Sequence, residues 1–163
     1  MQSFLSRIVV FRSFPRYANL NQLYVSASGS YIRTGSVASS RWYSLEKEIN
    51  ITVEKLKELM KNGDLKLIDV REPDELIEAG RIPNAVNIPL GEIEEAFQMD
   101  KAAFREKYKF EKPEKWEKNL VFSCRSGVRS MRALKMVQEM GYENPLNLIG
   151  GHNAWKNAHL KEE

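Results

Sequence analysis

The sequence predicts an α/β fold in which a central, mostly parallel β-sheet is flanked by helices on both faces. Two observations lead to this prediction. Short apolar segments alternate with segments of helical periodicity throughout residues 46–163, which is the pattern of a parallel sheet with crossover helices. The run Leu120-Val121-Phe122-Ser123 is almost entirely apolar, as expected for a strand that is covered on both faces. No internal repeat, low-complexity run or linker divides this region, so we expect one domain.

The first half of the domain is predicted to begin with a strand that ends at Ile51. Thr52 has the hydroxyl of an N-cap for a helix over 53–61, and Gly63 suits the left-handed position that ends it. Apolar side chains at 53, 56, 59 and 60 share one face of this helix. The further elements predicted in this half are a strand over 65–70, a helix over 74–79 ended by Gly80, a strand over 85–88 between two prolines, and helices over 92–97 and 101–108.

The second half begins with the buried strand over 120–123. A helix over 128–140, ended by Gly141, follows, with Val128, Met131, Leu134 and Val137 predicted to face the core. A strand over 146–149 and a helical turn over 154–158 complete the domain. Sites in parallel sheets lie beyond the carboxyl ends of the strands. The segments expected at that edge are Asp69-Val70-Arg71, the residues from Cys124 onward, and Gly150-Gly151.

The charges of the chain are distributed unevenly. Residues 1–45 contain five arginines, ten serines and no Lys, Asp or Glu, so this segment carries +5. Of the 25 basic side chains, 25 − 5 = 20 remain in the rest of the chain against 22 acidic ones, which is −2. The slightly acidic domain lacks the basic balance of a nucleic-acid-binding protein, and we expect no nucleic-acid partner.

The composition of the first 43 residues is typical of a mitochondrial transit peptide, which is rich in Arg and Ser and poor in acids. Residues 4–12 interleave apolar side chains with Arg7 and Arg12, as an amphipathic presequence helix does, and these arginines break the apolar core that a secretory signal needs. Arg41-Trp42-Tyr43-Ser44 resembles a matrix-protease site. We therefore predict a transit peptide over 1–43, a domain over 44–163 and a location in the mitochondrial matrix. The alternative is a basic tail without a targeting signal.

Composition also excludes several kinds of site. The longest charge-free stretch, 17–32, is interrupted by polar residues and is shorter than the roughly 20 apolar residues of a membrane span, so we expect no stable membrane association. One cysteine excludes an internal disulfide, a CxxC pair and a Cys-rich zinc site. Both histidines lie near the C-terminus, which argues against a His-based metal site.

The segment Cys124-Arg125-Ser126-Gly127-Val128-Arg129-Ser130 carries the clearest chemical signal. A loop that leaves a buried strand and enters a helix can turn successive N–H groups inward and form an anion-binding nest, strengthened by the helix N-terminus. Gly127 permits a tight turn, and Arg125 and Arg129 add planar cationic donors. A thiol in this field is expected to ionise early, which makes Cys124 a nucleophile candidate; the alternative is a buried core cysteine.

This loop resembles the active-site loop of the rhodanese-type sulfurtransferases. Three further segments resemble motifs of that family in the same order: Asp69 to Glu75, Ala79 to Pro89, and Gly150-Gly151 with Ala154-Trp155. The resemblance covers residues 50–158, with two departures: Arg81 stands where the family usually has His, and Asn84 where it usually has Gly. It implies a rhodanese-like α/β domain with one catalytic cysteine, no metal and no organic cofactor.

The resemblance further implies a mechanism and a set of partners. Cys124 would take the outer sulfur of thiosulfate or of a persulfide donor such as glutathione persulfide, and would pass it to a thiol or to cyanide. A protein thiol is a further possible acceptor. The loop amides would hold the charge of a Cys124 persulfide, as in an oxyanion hole. Arg125 and Arg129 would bind the sulfonate, and Ser126 and Ser130 would add hydroxyl donors.

Two other functions remain open from the loop alone. Cysteine phosphatases and arsenate reductases have a similar loop but need an arginine six positions after the cysteine, where this chain has Ser130, and Arg129 comes one residue early. A non-catalytic rhodanese module, acting as a protein-to-protein sulfur relay or a regulatory binding domain, is the second alternative.

Several residues near the predicted edge have two interpretations. Asp69 and Arg71 either support substrate binding or form a helix-capping acid and a structural ion pair. His152 is either a base near the site or a loop residue. Gly150-Gly151 is expected to allow close packing beside the cysteine loop, and Trp155 to line the core or the pocket. The mixed-charge run 107–118 is expected to be a solvated connection, anchored by Tyr108, Phe110 and Trp116. The resemblance implies that this segment borders the pocket.

Overall fold

Five parallel strands form a single sheet in the computed structural model, which describes residues 49–63 and 65–160. The predicted transit peptide, the domain start at 44 and the last three residues lie outside these ranges. The strand order is β1-β5-β4-β2-β3, and every described pairing is parallel. This confirms the predicted α/β class. The strands are β1 (Asn50–Ile51), β2 (Lys66–Asp69), β3 (Val86–Asn87), β4 (Leu120–Ser123) and β5 (Leu146–Leu148).

Five α-helices and a 3₁₀ turn at Leu90–Glu92 lie between the described strands, and a sixth α-helix follows β5. Most begin and end where the sequence predicts. Thr52 caps the first helix through its hydroxyl, and Gly63 ends it with φ of 83°. The last helix is longer than the predicted turn over 154–158. The helices are α1 (Val53–Asn62), α2 (Pro73–Ala79), α3 (Ile93–Gln98), α4 (Lys101–Tyr108), α5 (Val128–Glu139) and α6 (Gly151–His159).

The sheet separates two hydrophobic clusters, because successive side chains of a strand point to opposite faces. Leu67 of β2 and Val121 of β4 belong to the cluster that includes side chains of α1 and α6. The next residues along these strands, Ile68 and Phe122, belong to the cluster that includes side chains of α3, α4 and α5. All four side chains are fully buried. The helices therefore cover both faces, as predicted.

Two of the predicted core contacts are wrong. Val128 is 60% exposed because it is the first residue of α5, at the edge of the sheet. Trp116 is 67% exposed, so only Tyr108 and Phe110 of the predicted aromatic anchors pack against the domain. Asn84 adopts φ of 62°, a left-handed conformation that Asn tolerates better than most residues, as Gly does.

No helix among the described residues is long and apolar enough to cross a membrane.

Candidate active site

Cys124 follows β4 directly and opens the loop that leads into α5. The residue is 1% exposed, and the structure places its sulfur against hydrogen-bond donors of the loop. The N–H of Gly127 donates to Sγ at 3.1 Å, and Oγ of Ser130 lies 3.4 Å from Sγ. Cys124 therefore has both features anticipated above: it is buried like a core cysteine, and the loop donors surround its sulfur.

The geometry of the loop depends on α6. The N–H of His152 donates to the Cys124 carbonyl at 2.7 Å, and the N–H of Asn153 donates to the Arg125 carbonyl at 3.1 Å. These bonds use the free N–H groups at the start of a helix. Within a peptide unit the N–H and the carbonyl point in opposite directions. Holding the Arg125 carbonyl toward α6 therefore turns the next amide, that of Ser126, toward the sulfur.

Two glycines permit the close packing that the sequence predicts at this edge. A Cβ on Gly151 would lie 2.1 Å from the Cys124 carbonyl oxygen, and φ at this residue is +54°. A Cβ on Gly127, where φ is +94°, would lie 3.2 Å from the Gly150 nitrogen. The cysteine loop thus lies directly against the turn that precedes α6.

The pKa of the Cys124 thiol lies below its ordinary value as the net result of opposing effects. Burial raises this pKa, because the thiolate loses solvent. The hydroxyl of Ser130 and the backbone amides of Ser130, Ser126 and Gly127 lower it by more, since they donate to the charged form. The loop therefore favours a nucleophilic thiolate.

Arg125 and Arg129, which carry the same charge, have different surroundings. Arg129 is paired with Glu75 of α2 through two hydrogen bonds, Nη1 to Oε2 at 2.6 Å and Nη2 to Oε1 at 2.7 Å. These bonds lower the pKa of Glu75 to about 2 and raise that of Arg129. Arg125 is exposed, and its guanidinium has no hydrogen-bond or ion-pair partner among the described residues.

Asp69 and Arg71 form a buried ion pair at the end of β2. Arg71 donates from Nε and Nη2 to the Asp69 carboxylate at 2.7–3.0 Å, and from Nη2 to the Gly80 carbonyl at 2.9 Å. Asp69 is fully buried and Arg71 is 1% exposed. These contacts support the structural interpretation of the pair, which fastens the end of β2 to the turn after α2.

A cavity of about 200 Å³ lies on the α6 side of the loop. His152 lines it from the first turn of α6, so this residue is helical and 5% exposed instead of lying in a loop. Burial lowers the pKa of His152, and the positive charge of Arg71 lowers it further, so the ring favours its neutral form. Charged side chains on the walls of the cavity are Arg71, Glu75, Glu78, Arg125 and Lys156.

Two larger grooves, of about 820 and 780 Å³, lie away from the loop and are lined by neither Cys nor His. In the part of the chain that the structure describes, no three His, Cys, Asp or Glu side chains gather as metal ligands would. Among the loop residues, the exposed Ser126 and Val128 lie beside Gly127 and line a shallow groove of about 430 Å³ on the α5 side. The cysteine loop is thus bordered by cavities on both sides.

Two residues of this site were not singled out by the sequence. Glu75 reaches Arg129 across 54 positions, and Asn147 accepts a hydrogen bond from Ser130 across 17 positions. The signal for Asn147 was a lone amide in the apolar run Leu146 to Ile149. The signal for Glu75 was only an acid in the first turn of a helix, and its partner is not visible from local sequence.

The known proteins that resemble this chain include several sulfurtransferases. A mouse protein named thiosulfate sulfurtransferase/rhodanese-like domain-containing protein 3 is 42% identical over 113 residues, which is 69% of this chain and 71% of that protein. Human thiosulfate:glutathione sulfurtransferase is 38% identical over 105 residues, 64% of this chain and 90% of that protein. Mitochondrial thiosulfate sulfurtransferase RDL2 of Saccharomyces cerevisiae is 31% identical over 106 residues, 64% of this chain and 70% of that protein.

The solved structure of the human single-domain sulfurtransferase TSTD1 superposes with a TM-score of 0.63 at 36% identity, covering 71% of this chain and 97% of that one. The family model for the rhodanese-like domain matches residues 52–158. The family match begins directly after β1 and includes the other four strands, the cysteine loop and nearly all of α6. The chain therefore belongs to the rhodanese-like domain family, alongside sulfurtransferases such as these.

Proposed function

We propose that the protein is a thiosulfate sulfurtransferase that works through a persulfide on Cys124. One observation carries the proposal: the only cysteine of the chain lies at the base of a loop whose amides and Ser130 hydroxyl lower its pKa. A thiolate is the form of cysteine that attacks sulfur. The names of the human and mouse relatives support thiosulfate as the donor.

The reaction divides into two displacements at sulfur. In the first, the Cys124 thiolate attacks the outer sulfur of thiosulfate, the bond between the two thiosulfate sulfurs breaks, and its electron pair leaves with sulfite. The outer sulfur is then bound to Cys124 as a persulfide, whose negative charge faces the N–H groups of Ser126 and Gly127. In the second, an acceptor thiolate or cyanide attacks that outer sulfur, and Cys124 leaves as a thiolate.

The loop residues have distinct roles in this proposal. Arg125 binds the sulfonate of thiosulfate, because its guanidinium is exposed and has no partner among the residues that the structure describes. Arg129 adds positive charge to the field of the loop while Glu75 holds it in place. Glutathione, which the name of the human relative includes, is the proposed small thiol acceptor. A glutathione persulfide is the alternative donor, and a protein thiol the alternative acceptor.

The test is the intact mass of the protein after thiosulfate treatment. We expect a gain of one sulfur atom, removed by a thiol or by cyanide with formation of the corresponding product. Cys124→Ser is the matched control, since it changes one atom of the side chain and leaves no other cysteine. We expect this variant to keep its fold by circular dichroism and to lose sulfur transfer completely. Activity in Cys124→Ser would contradict the proposed nucleophile.

A protein-to-protein sulfur relay is the second candidate function. It is favoured by the pairing of Arg129 with Glu75, which leaves Arg125 as the one loop guanidinium without a partner among the described residues. The exposed Val128 and Ile149 beside the loop also favour it. A relay would accept sulfur from a persulfidated protein faster than from thiosulfate. Comparing the rates of Cys124 persulfide formation from a persulfidated protein and from thiosulfate distinguishes the two functions.

We further propose that the protein acts in the mitochondrial matrix after removal of residues 1–43. The composition of this segment supports the proposal, and the related yeast protein is named as mitochondrial. Sequencing the N-terminus of the protein from intact cells is the test. A mature chain that begins near Ser44 is expected, and a chain that retains Met1 and the arginine-rich segment would contradict it.

A further inference from the structure

A chain of hydrogen bonds extends from Cys124 into the sheet. Ser130, in the first turn of α5, is fully buried, and its Oγ lies 3.4 Å from Cys124 Sγ and 2.7 Å from Oδ1 of Asn147 on β5. Asn147 is 3% exposed, and its Nδ2 donates to Oδ1 of Asn50 on the neighbouring strand β1 at 2.8 Å. The cysteine is thus linked to two amide side chains that lie outside its loop.

The donors along this chain can be assigned from the chemistry of each group. Asn147 uses its NH₂ toward Asn50, so the atom that faces Ser130 is the amide oxygen, which only accepts. The proton between the two oxygens must therefore belong to Ser130. A hydroxyl has one proton. While it points to Asn147, Ser130 presents a lone pair to the sulfur, which suits a protonated thiol.

We propose that Asn147 is a positioning residue that holds the Ser130 hydroxyl away from Cys124, so that ionisation of the thiol requires this hydroxyl to turn from Asn147 to the sulfur. When the thiol proton leaves to a base in solvent, the sulfur keeps the electron pair and becomes an acceptor. The hydroxyl then exchanges a neutral acceptor for a charged one. Asn147 competes for that proton, and its presence limits how far the thiolate is stabilised.

The location of the two residues makes this competition effective. Both are buried, so water does not readily take the place of either partner. Asn50 also fixes which end of the Asn147 amide faces the serine. In the sulfur-transfer cycle proposed above, Cys124 is a thiolate before it attacks and again after it leaves. The effect of Asn147 on sulfur transfer therefore rests on the proposed function, whereas the hydrogen-bond competition does not.

Other charged and titratable groups also lie around the cysteine loop. They come from the loop itself and from three elements packed around it, and none of them is changed in the variants below. Their contributions are therefore shared by all the proteins compared. These groups are Arg125 of the loop, Arg129 of α5, Asp69 and Arg71 at the end of β2, and His152 of α6.

The experiment is a pH titration of thiolate absorbance, from which the titration of the matching Cys124→Ser protein is subtracted to remove the tyrosines. The difference reports Cys124 alone because the chain has one cysteine. Asn147→Leu removes the competing acceptor and keeps the branched shape of the side chain. We expect a lower pKa, so that the thiolate fraction below the midpoint rises about threefold or more, which corresponds to about half a pKa unit. Ser130→Ala should raise the pKa. In the Ser130→Ala background, adding Asn147→Leu should not change the pKa of Cys124 further, since Asn147 acts on the thiol through the Ser130 hydroxyl.

Three results would overturn the proposal: no change in Asn147→Leu, a rise in the pKa, or an equal shift with and without Ser130. If Asn147→Leu does not fold, Asn50→Ala replaces it. Without the Asn50 oxygen, the Asn147 amide is free to turn its NH₂ to Ser130, which releases the hydroxyl for the sulfur. The pKa should again fall, and an unchanged or higher value would count against us. No sulfur donor is present in this titration, so its outcome is separate from the thiosulfate mass test.

Discussion

Arg125 and Arg129 show how the role of a residue depends on its neighbours as much as on its type. The sequence predicts that both guanidinium groups bind the sulfonate. In the structure Arg129 is engaged by the Glu75 carboxylate through two nitrogens, whereas Arg125 is exposed and unpaired among the described residues. An unpaired guanidinium can accept an anion without first losing a partner.

This difference leads to a prediction about substrate binding. Arg125→Ala should raise the KM for thiosulfate about tenfold, because a charged hydrogen bond of roughly 1.5 kcal/mol is lost, and kcat should change less. Arg129→Ala should have the smaller effect on KM. Initial rates of sulfur transfer from thiosulfate to cyanide measure both.

Arg132→Ala is the matched control, since Arg132 is an exposed arginine of α5 that borders the groove beside the loop. The KM of Arg132→Ala for thiosulfate should stay within about twofold of the parent value. This change measures the effect of losing one positive charge near the loop without losing a contact to thiosulfate. A larger KM increase in Arg129→Ala than in Arg125→Ala would contradict the proposed roles.

The parts of the site that sequence could identify are those that are contiguous along the chain. The strand, the cysteine, the glycine and the start of α5 fall within 120–130, so local rules for turns and helix starts apply to them. Glu75 and Asn147 could not be assigned because their partners are distant in sequence and are brought near by the strand order. The exposure of Val128 was mispredicted since helical periodicity identifies a face but not where the sheet ends.

At the scale of elements, the cysteine loop and α6 depend on each other. The first amides of α6 donate to the carbonyls of Cys124 and Arg125, and Gly151 allows the helix to approach within that distance. Any side chain at position 151 would separate the two elements. The shape of the loop is thus set partly by a residue that does not touch the sulfur.

Gly151→Ala is expected to destabilise the protein by about 2–5 kcal/mol. The left-handed conformation costs about 1–2 kcal/mol for a residue with a Cβ, and overpacking against the Cys124 carbonyl adds about 1–3 kcal/mol. Equilibrium urea unfolding measures the change. Displacement of the loop should also raise the pKa of Cys124, because the amides that lower it move away.

The control is Gly91→Ala, at a glycine where an added Cβ would meet nothing within 4 Å and φ is not in the left-handed region. Its stability should change by less than about 1 kcal/mol. If Gly151→Ala were as stable as Gly91→Ala, close packing of α6 on the loop would not be what fixes the loop.

At the scale of the whole molecule, the strand order brings together segments that are far apart in sequence. β2 lies beside β4, so the segments that leave their carboxyl ends, α2 and the cysteine loop with α5, lie at the same edge of the sheet. Glu75 and Arg129 join these two segments, and their side chains are only 27% and 31% exposed. The pair therefore links the folding of the domain to the pH of the solution.

Glu75→Gln tests this linkage. The pKa of Glu75 is lowered to about 2 in the folded protein from an ordinary value of 4.5, mainly by its hydrogen bonds to Arg129. Because the folded pKa is the lower one, the unfolded chain binds the proton more readily. The stabilisation is complete above about pH 4.5 and is lost as the pH falls toward about 2. Gln keeps an oxygen for the α2 capping box, so the substitution removes chiefly the charge.

The parent should exceed Glu75→Gln in free energy of unfolding by about 1–2 kcal/mol at neutral pH, after allowance for solvent screening of the pair. This difference should be constant down to about pH 5 and should shrink below it. Urea unfolding of both proteins across this range measures it. Glu78→Gln, at an exposed position of the same helix, controls for the loss of one negative charge. A pH-independent difference between parent and Glu75→Gln would show that the pair contributes packing and not charge.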